Sequence, residues 1–277
     1  MRQGLSVKAL DCETVETAVQ SMEQILEIGR CTLIDLFQDL DIEGYRRKTG
    51  RSDLPPDGVV DEAVRRRIGS TARVEGVCWF HVTRVRSEED FDRGLLPLGQ
   101  QIDSIWSFLH DLVRDRVSEE EWAEFRHRLD RGSMKGHFAG LYREKVARQS
   151  HWGPYAMLVR DIAFRPRDAG NHDYFRTPEI IEDICKSFPT KYGIDLFAEF
   201  RAATRPCIVK FFEDRNADHV LRPALYYLYC AYRGFKLSDY CNTCFDGKGL
   251  AVPRDRLLKV EFPDYVENAA NTSDHPE

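Results

Sequence analysis

Between residues 14 and 28 the apolar positions fall at Val15, Val19, Met22, Ile25 and Leu26, three or four apart, with polar residues between them. That spacing draws one apolar stripe along a helix and predicts a helix over 14–28. The pattern continues through TLIDLFQDLD at 32–41. GYRRKTGRSDLPPDG, rich in charge, Gly and Pro, reads as a link, and VVDEAVRRRIG as a short helix closed by Gly69. Residues 1–70 are therefore expected to form a helical N-terminal section. Near Val74 the period changes. EGVCWFHVTRV packs β-branched and aromatic residues into a short span, which predicts a strand, and GLLPLG then turns the chain.

Ile102, Ile105, Trp106, Leu109 and Val113 share one helical face, and Ser118 with Glu121 forms a capping-box pattern that opens the next helix and carries it toward Arg131. After the interruption GSMKG, helical spacing resumes in GHFAGLYREKVARQ. HWGPYAMLVRDIAF reads as a turn and then a strand from Tyr155 to Phe164. RPRDAGNHD has loop composition. Thr177-Pro178-Glu179 is a helix start with a hydroxyl cap, a first-turn proline and an early acid, and the helix it opens should bury Ile180, Ile181, Ile184 and Phe188. PCIVKFF at 206–212 reads as a buried strand, Pro223 as the opening of an aromatic helix, and Leu258, Val260 and Phe262 as marking a last strand before a polar tail at 268–277. Strands parted by helices at irregular intervals, without a β-α-β rhythm, imply an α+β domain over 71–267 built on a mixed β-sheet. Neither GxGxxG nor GxxxxGK[ST] occurs, which disfavours Rossmann and P-loop readings.

Composition narrows the classes of function. Across 277 residues, 42% hydrophobic and 31% charged, the chain is ordinary for a folded domain. Its formal net charge of −6 removes the simplest argument for nucleic-acid binding, a broadly basic surface. The basic stretches at 61–69 and 143–149 read as solvated helix faces. No apolar run approaches the roughly 20 residues of a membrane helix, and the first residues carry no signal core, so a cytoplasmic protein with no membrane partner is expected. Cys241 and Cys244 have metal-ligand spacing, but a structural zinc site needs a second Cys or His pair. No second CxxC is present, so the expectation is two thiols in a turn and no metal.

The chemistry centres on WFHVTRV, residues 79–85. On a strand, Trp79, His81 and Thr83 point one way while Phe80 and Val82 point toward the core. An aromatic ring beside two hydrogen-bonding groups suits a ligand that carries a flat ring and hydroxyls. The competing reading is a half-buried strand whose histidine is satisfied by a neighbour. His81-Val82-Thr83-Arg84, followed by Phe91 and Gly94-Leu95-Leu96-Pro97, resembles the opening strand and turn of the ADP-ribosyltransferases, among them the DNA-targeting toxins and the diphtheria-toxin and poly(ADP-ribose) polymerase branch. About 18 residues carry the likeness, and Val82 stands where the polymerase branch commonly has glycine.

The resemblance implies an ADP-ribosyltransferase-like core and NAD as cosubstrate, with His81 on a ribose hydroxyl and Thr83 supporting the pocket wall. It also implies a tyrosine stacked on nicotinamide, for which Tyr142 and Tyr155 are the alternatives. A catalytic glutamate would stabilise an oxocarbenium-like transition state: Glu213 at the end of PCIVKFFE comes first, and Glu179 is the rival. Arg84 and Arg86 suit a pyrophosphate because a guanidinium matches phosphate oxygens two at a time. The expected function is transfer of ADP-ribose to a macromolecule, nucleic acid or protein, in the setting of a toxin or a phage-defence effector. The alternative is a non-enzymatic nucleotide- or nucleic-acid-binding module.

Overall fold

The computed structural model describes residues 8–69, 72–214 and 218–264. The expected boundary at 70/71 and the tail at 268–277 lie outside the described residues.

The sheet is built around β2 (Gly76–Val85) and β4 (Arg205–Glu213), antiparallel partners in unbroken register from Val77 opposite Glu213 to Val85 opposite Arg205. Both strands are dense in Val, Ile, Phe and Cys and are mostly buried, as strands covered on two faces must be. The other side of β2 takes β1 (Ala9–Leu10) in parallel and β3 (Tyr155–Met157) antiparallel, and β3 pairs in turn with β5 (Cys244–Asp246). Beyond β4 lies β6 (Leu257–Glu261), its register shifted at Lys210/Phe211. One parallel pair among antiparallel ones makes the sheet mixed, and with the helices the architecture is α+β.

Two apolar cores form. In the first, the sheet packs with α1 (Val15–Leu26), α2 (Arg30–Asp39), α4 (Pro56–Ile68) and α10 (Leu221–Arg233), through Met22, Phe37, Val64 and Leu228 among others. Here α1 packs on β1 while α2 and α4 pack on α10, so the N-terminal helices share one core with the sheet that carries His81. The second core is helical. It joins α5 (Leu98–Asp111), α6 (Glu119–Asp130), α7 (His137–Ala147), α8 (Glu179–Ser187) and α9 (Leu196–Ala203) around Trp106. The Trp106 ring lies 5.3 Å from those of both Trp122 and Phe125, edge-on, an arrangement worth about 0.5–1.5 kcal/mol per pair beyond area burial.

Several expectations need correction. The stretch at 44–58 that reads as a link is largely helical at its start: α3 (Ile42–Thr49), capped by the Asp41 side chain, runs into it. The strand expected over 155–164 ends at Met157, where the pairing to β2 stops, and the chain curls into a 3-10 turn at Arg160–Phe164. Thr177 does not cap α8: its hydroxyl donates to the Pro178 carbonyl, and Pro178 occupies the cap position. The aromatic helix starts at Leu221, two residues ahead of Pro223. In β6 it is Leu257 that is buried, whereas Leu258 is exposed.

Candidate functional site

A cleft of about 700 Å³ opens where the sheet meets the second core. Its walls come from the C-terminal half of β2, the loop at 90–98, α5, the turn ahead of β3, and the N-terminus of α8. The volume falls within the roughly 300–1,000 Å³ usual for small-molecule and cofactor sites.

His81 and Thr83 both face this cleft. The His81 Nδ1 lies 2.7 Å from the backbone carbonyl of Tyr155 across the β2–β3 pair. A carbonyl only accepts, so Nδ1 carries the proton and the neutral ring leaves Nε2 as an acceptor. Burial pulls the imidazole below its ordinary value and outweighs the opposing pull of that bond, which keeps the ring neutral near pH 7. Trp79, expected beside them, is buried against Phe245 at 5.7 Å between ring centroids and does not line the cleft.

Glu179, the first residue of α8, also lines the cleft. Its Oε1 accepts from the Tyr174 hydroxyl at 2.8 Å, and its Oε2 lies 3.1 Å from the Lys145 ammonium, which also meets the buried Asp183 at 2.7 Å. Burial pushes this carboxyl up, but the Tyr174 hydroxyl and the Lys145 charge together hold it below its usual range. Tyr174 is driven strongly upward, first by burial and then by the Glu179 charge, so it remains a hydroxyl donor. Tyr155, on β3, also lines the cleft, and burial together with Asp246 and Glu179 raises its phenol.

The other residues singled out from the sequence lie elsewhere or are committed. Tyr142 is 1% exposed in the second core, where it accepts from Trp106 Nε1 at 3.0 Å and donates to Asp130 at 2.7 Å. Glu213 pairs with Val77, six residues along β2 from Thr83, a separation of about 20 Å at the rise of an extended strand. Arg256 lies 3.7 Å from its carboxylate, and Glu213 is not on the cleft. Arg84 lines the cleft, yet its guanidinium clamps the Thr204 hydroxyl and the carbonyls of Phe175, Arg201 and Thr204 at 2.6–3.1 Å.

The cleft also takes residues that the sequence does not single out for it: Lys145, whose segment 143–149 reads as a solvated face, Tyr174, just past the 165–173 loop, Arg93 in the turn after β2, and Cys244, which reads as half of a thiol turn. Cys241, its expected turn partner, is instead buried with its Sγ 3.8 Å from that of Cys230. Among the described residues no group of three or more His, Cys, Asp or Glu side chains is disposed to hold a metal ion, and no helix is long and apolar enough to cross a membrane. No protein family, curated protein or solved structure matches the chain.

Proposed function

We propose that the cleft binds NAD as a cosubstrate and that the protein transfers ADP-ribose from it to a macromolecular acceptor, nucleic acid or protein. The observation that carries this reading is that His81, Thr83, Tyr155 and Glu179 line one cleft of suitable size. His81 Nε2 accepts from a ribose hydroxyl, Thr83 offers a second polar contact, and Tyr155 presents an aromatic face for the nicotinamide. Glu179 is the acid of choice, because a fixed anion facing the sugar stabilises the positive charge that develops as the bond to nicotinamide breaks. The nicotinamide nitrogen keeps the bonding pair, and the sugar carbon takes a nucleophile from the acceptor.

One observation favours a second reading, a binding module without turnover. Both oxygens of Glu179 already have partners, Tyr174 and Lys145, which spread its charge before any substrate arrives. Turnover separates the two. Incubated with labelled NAD and cell lysate, the protein should release nicotinamide and pass label to a macromolecule. Glu179→Gln should lower that rate about 10²- to 10³-fold while NAD binding by calorimetry is kept. NAD binding with no nicotinamide release would leave only the binding module, and no NAD binding at all would end both readings.

A further inference from the structure

The charge of the cleft runs against that of the chain. The whole sequence carries a formal net charge of −6, yet the cleft gathers Arg84, Arg86, Arg93 and Lys145 against only Asp90 and Glu179. A concave, low-dielectric surface lined by excess positive charge concentrates anions. Three of these cations have visible work within the fold. Arg84 clamps backbone carbonyls, and Lys145 bridges Glu179 and Asp183. Arg86 lies 3.2 Å from Asp90 and stacks over the Phe108 ring. Arg93 differs: among the described residues its guanidinium has no ion pair and no side-chain hydrogen bond, and it is exposed at the cleft.

The loop that carries Arg93 is fixed in place. Phe91 and Leu95 on either side are buried, the Gly94 N–H donates to the Phe91 carbonyl at 2.8 Å, and Leu95 and Val252 exchange two backbone bonds at 2.9 Å. The backbone is thus already ordered when the guanidinium closes on an oxyanion, so only side-chain freedom is lost, and the planar fork matches phosphate oxygens two at a time.

We propose that Arg93 is the anion anchor of the cleft and binds the diphosphate of the dinucleotide. This rests on the dinucleotide reading above and moves the phosphate contact from Arg84 to Arg93. The diphosphate then lies at the mouth of the cleft, with the reacting sugar deeper between His81 and Glu179.

Calorimetry on the full chain, with inorganic pyrophosphate and with NAD as separate probes, tests the anchor. Inorganic pyrophosphate should displace NAD, and Arg93→Gln should weaken both ligands about tenfold or more. Arg67→Gln, on the exposed face of α4, should change neither, and Arg93→Lys should recover part of the loss because it restores charge without the fork. Unchanged affinity for both ligands in Arg93→Gln would overturn the anchor while leaving the NAD reading in place. Pyrophosphate bound through Arg93 with no NAD binding would uphold the anchor and remove the NAD reading. Failure of the unaltered protein to bind either ligand would remove both.

Discussion

The guanidinium of Arg84 meets one hydroxyl and three carbonyls, and so ties the end of β2 to the 175 and 201–204 segments. Arg84→Met should therefore act first on stability. Removing the donors leaves part-buried carbonyls unsatisfied, and we expect a loss of about 2–4 kcal/mol, read as a lowered midpoint in denaturant unfolding. Thiols make a second test at this scale. Cys31 and Cys244 are the exposed cysteines, whereas Cys12, Cys78, Cys207, Cys230 and Cys241 are buried. Mass spectrometry after brief alkylation of the native protein should find label on Cys31 and Cys244 ahead of all the others, and on the NAD reading proposed above saturating NAD should slow Cys244, which lines the cleft, and not Cys31. His81 and Thr83 were legible in the sequence because strand alternation sets them on one face, although the same rule places Trp79 there, which is buried, and leaves out Val82, which lines the cleft. Tyr174, Lys145 and Cys244 were not, since each reaches the cleft from a separate segment by tertiary packing, which leaves no local period to read.

Among the elements, the long amphipathic helices could be read from their periods, because each buries a regular stripe, and the strands β2 and β4 from dense apolar runs of β-branched and aromatic residues, because both are mostly buried. The helix α3 could not: it has no fully buried residue, hence no apolar stripe, and its charges gave it the look of a link. The strands β1 and β5, of two and three residues, exist through pairing with β2 and β3 and carry too few positions for any period. The loop between β2 and α5 gives a test at this level. Gly94 has φ +81°, and a Cβ there would lie 2.1 Å from the Val252 carbonyl oxygen and 2.9 Å from the Arg254 amide. Both neighbours are backbone, so Gly94→Ala must displace the 91–95 loop or the 252–254 segment. We expect a cost of about 1–3 kcal/mol for the backbone conformation alone, seen as a lowered melting midpoint, together with weaker pyrophosphate binding as Arg93 shifts.

At the scale of the whole molecule, the face of the sheet below β4 is held by charge. Lys210 lies 2.5 Å from Asp11 and 2.7 Å from Glu13, and Glu13 also meets Lys259 at 2.9 Å. Burial alone would raise the Glu13 carboxyl, but the two ammonium partners lower it from 4.5 to about 2. A carboxyl depressed on folding stabilises the native state fully above its unfolded value and loses that contribution as pH falls toward the folded one. Thermal melts should therefore show stability falling between about pH 4.5 and pH 2, with a shallower fall in Glu13→Gln. A flat profile in the unaltered protein over that interval would contradict the network. The same arrangement bears on how short the polypeptide can be made. Losing the segment 8–14 would take away β1, the buried Leu10 and Cys12 and the Thr14 cap of α1, and with them Asp11 and Glu13, stranding the Lys210 ammonium beneath the central ladder. The short segment before α1 is in this sense a cofactor of the sheet, supplied by the chain itself.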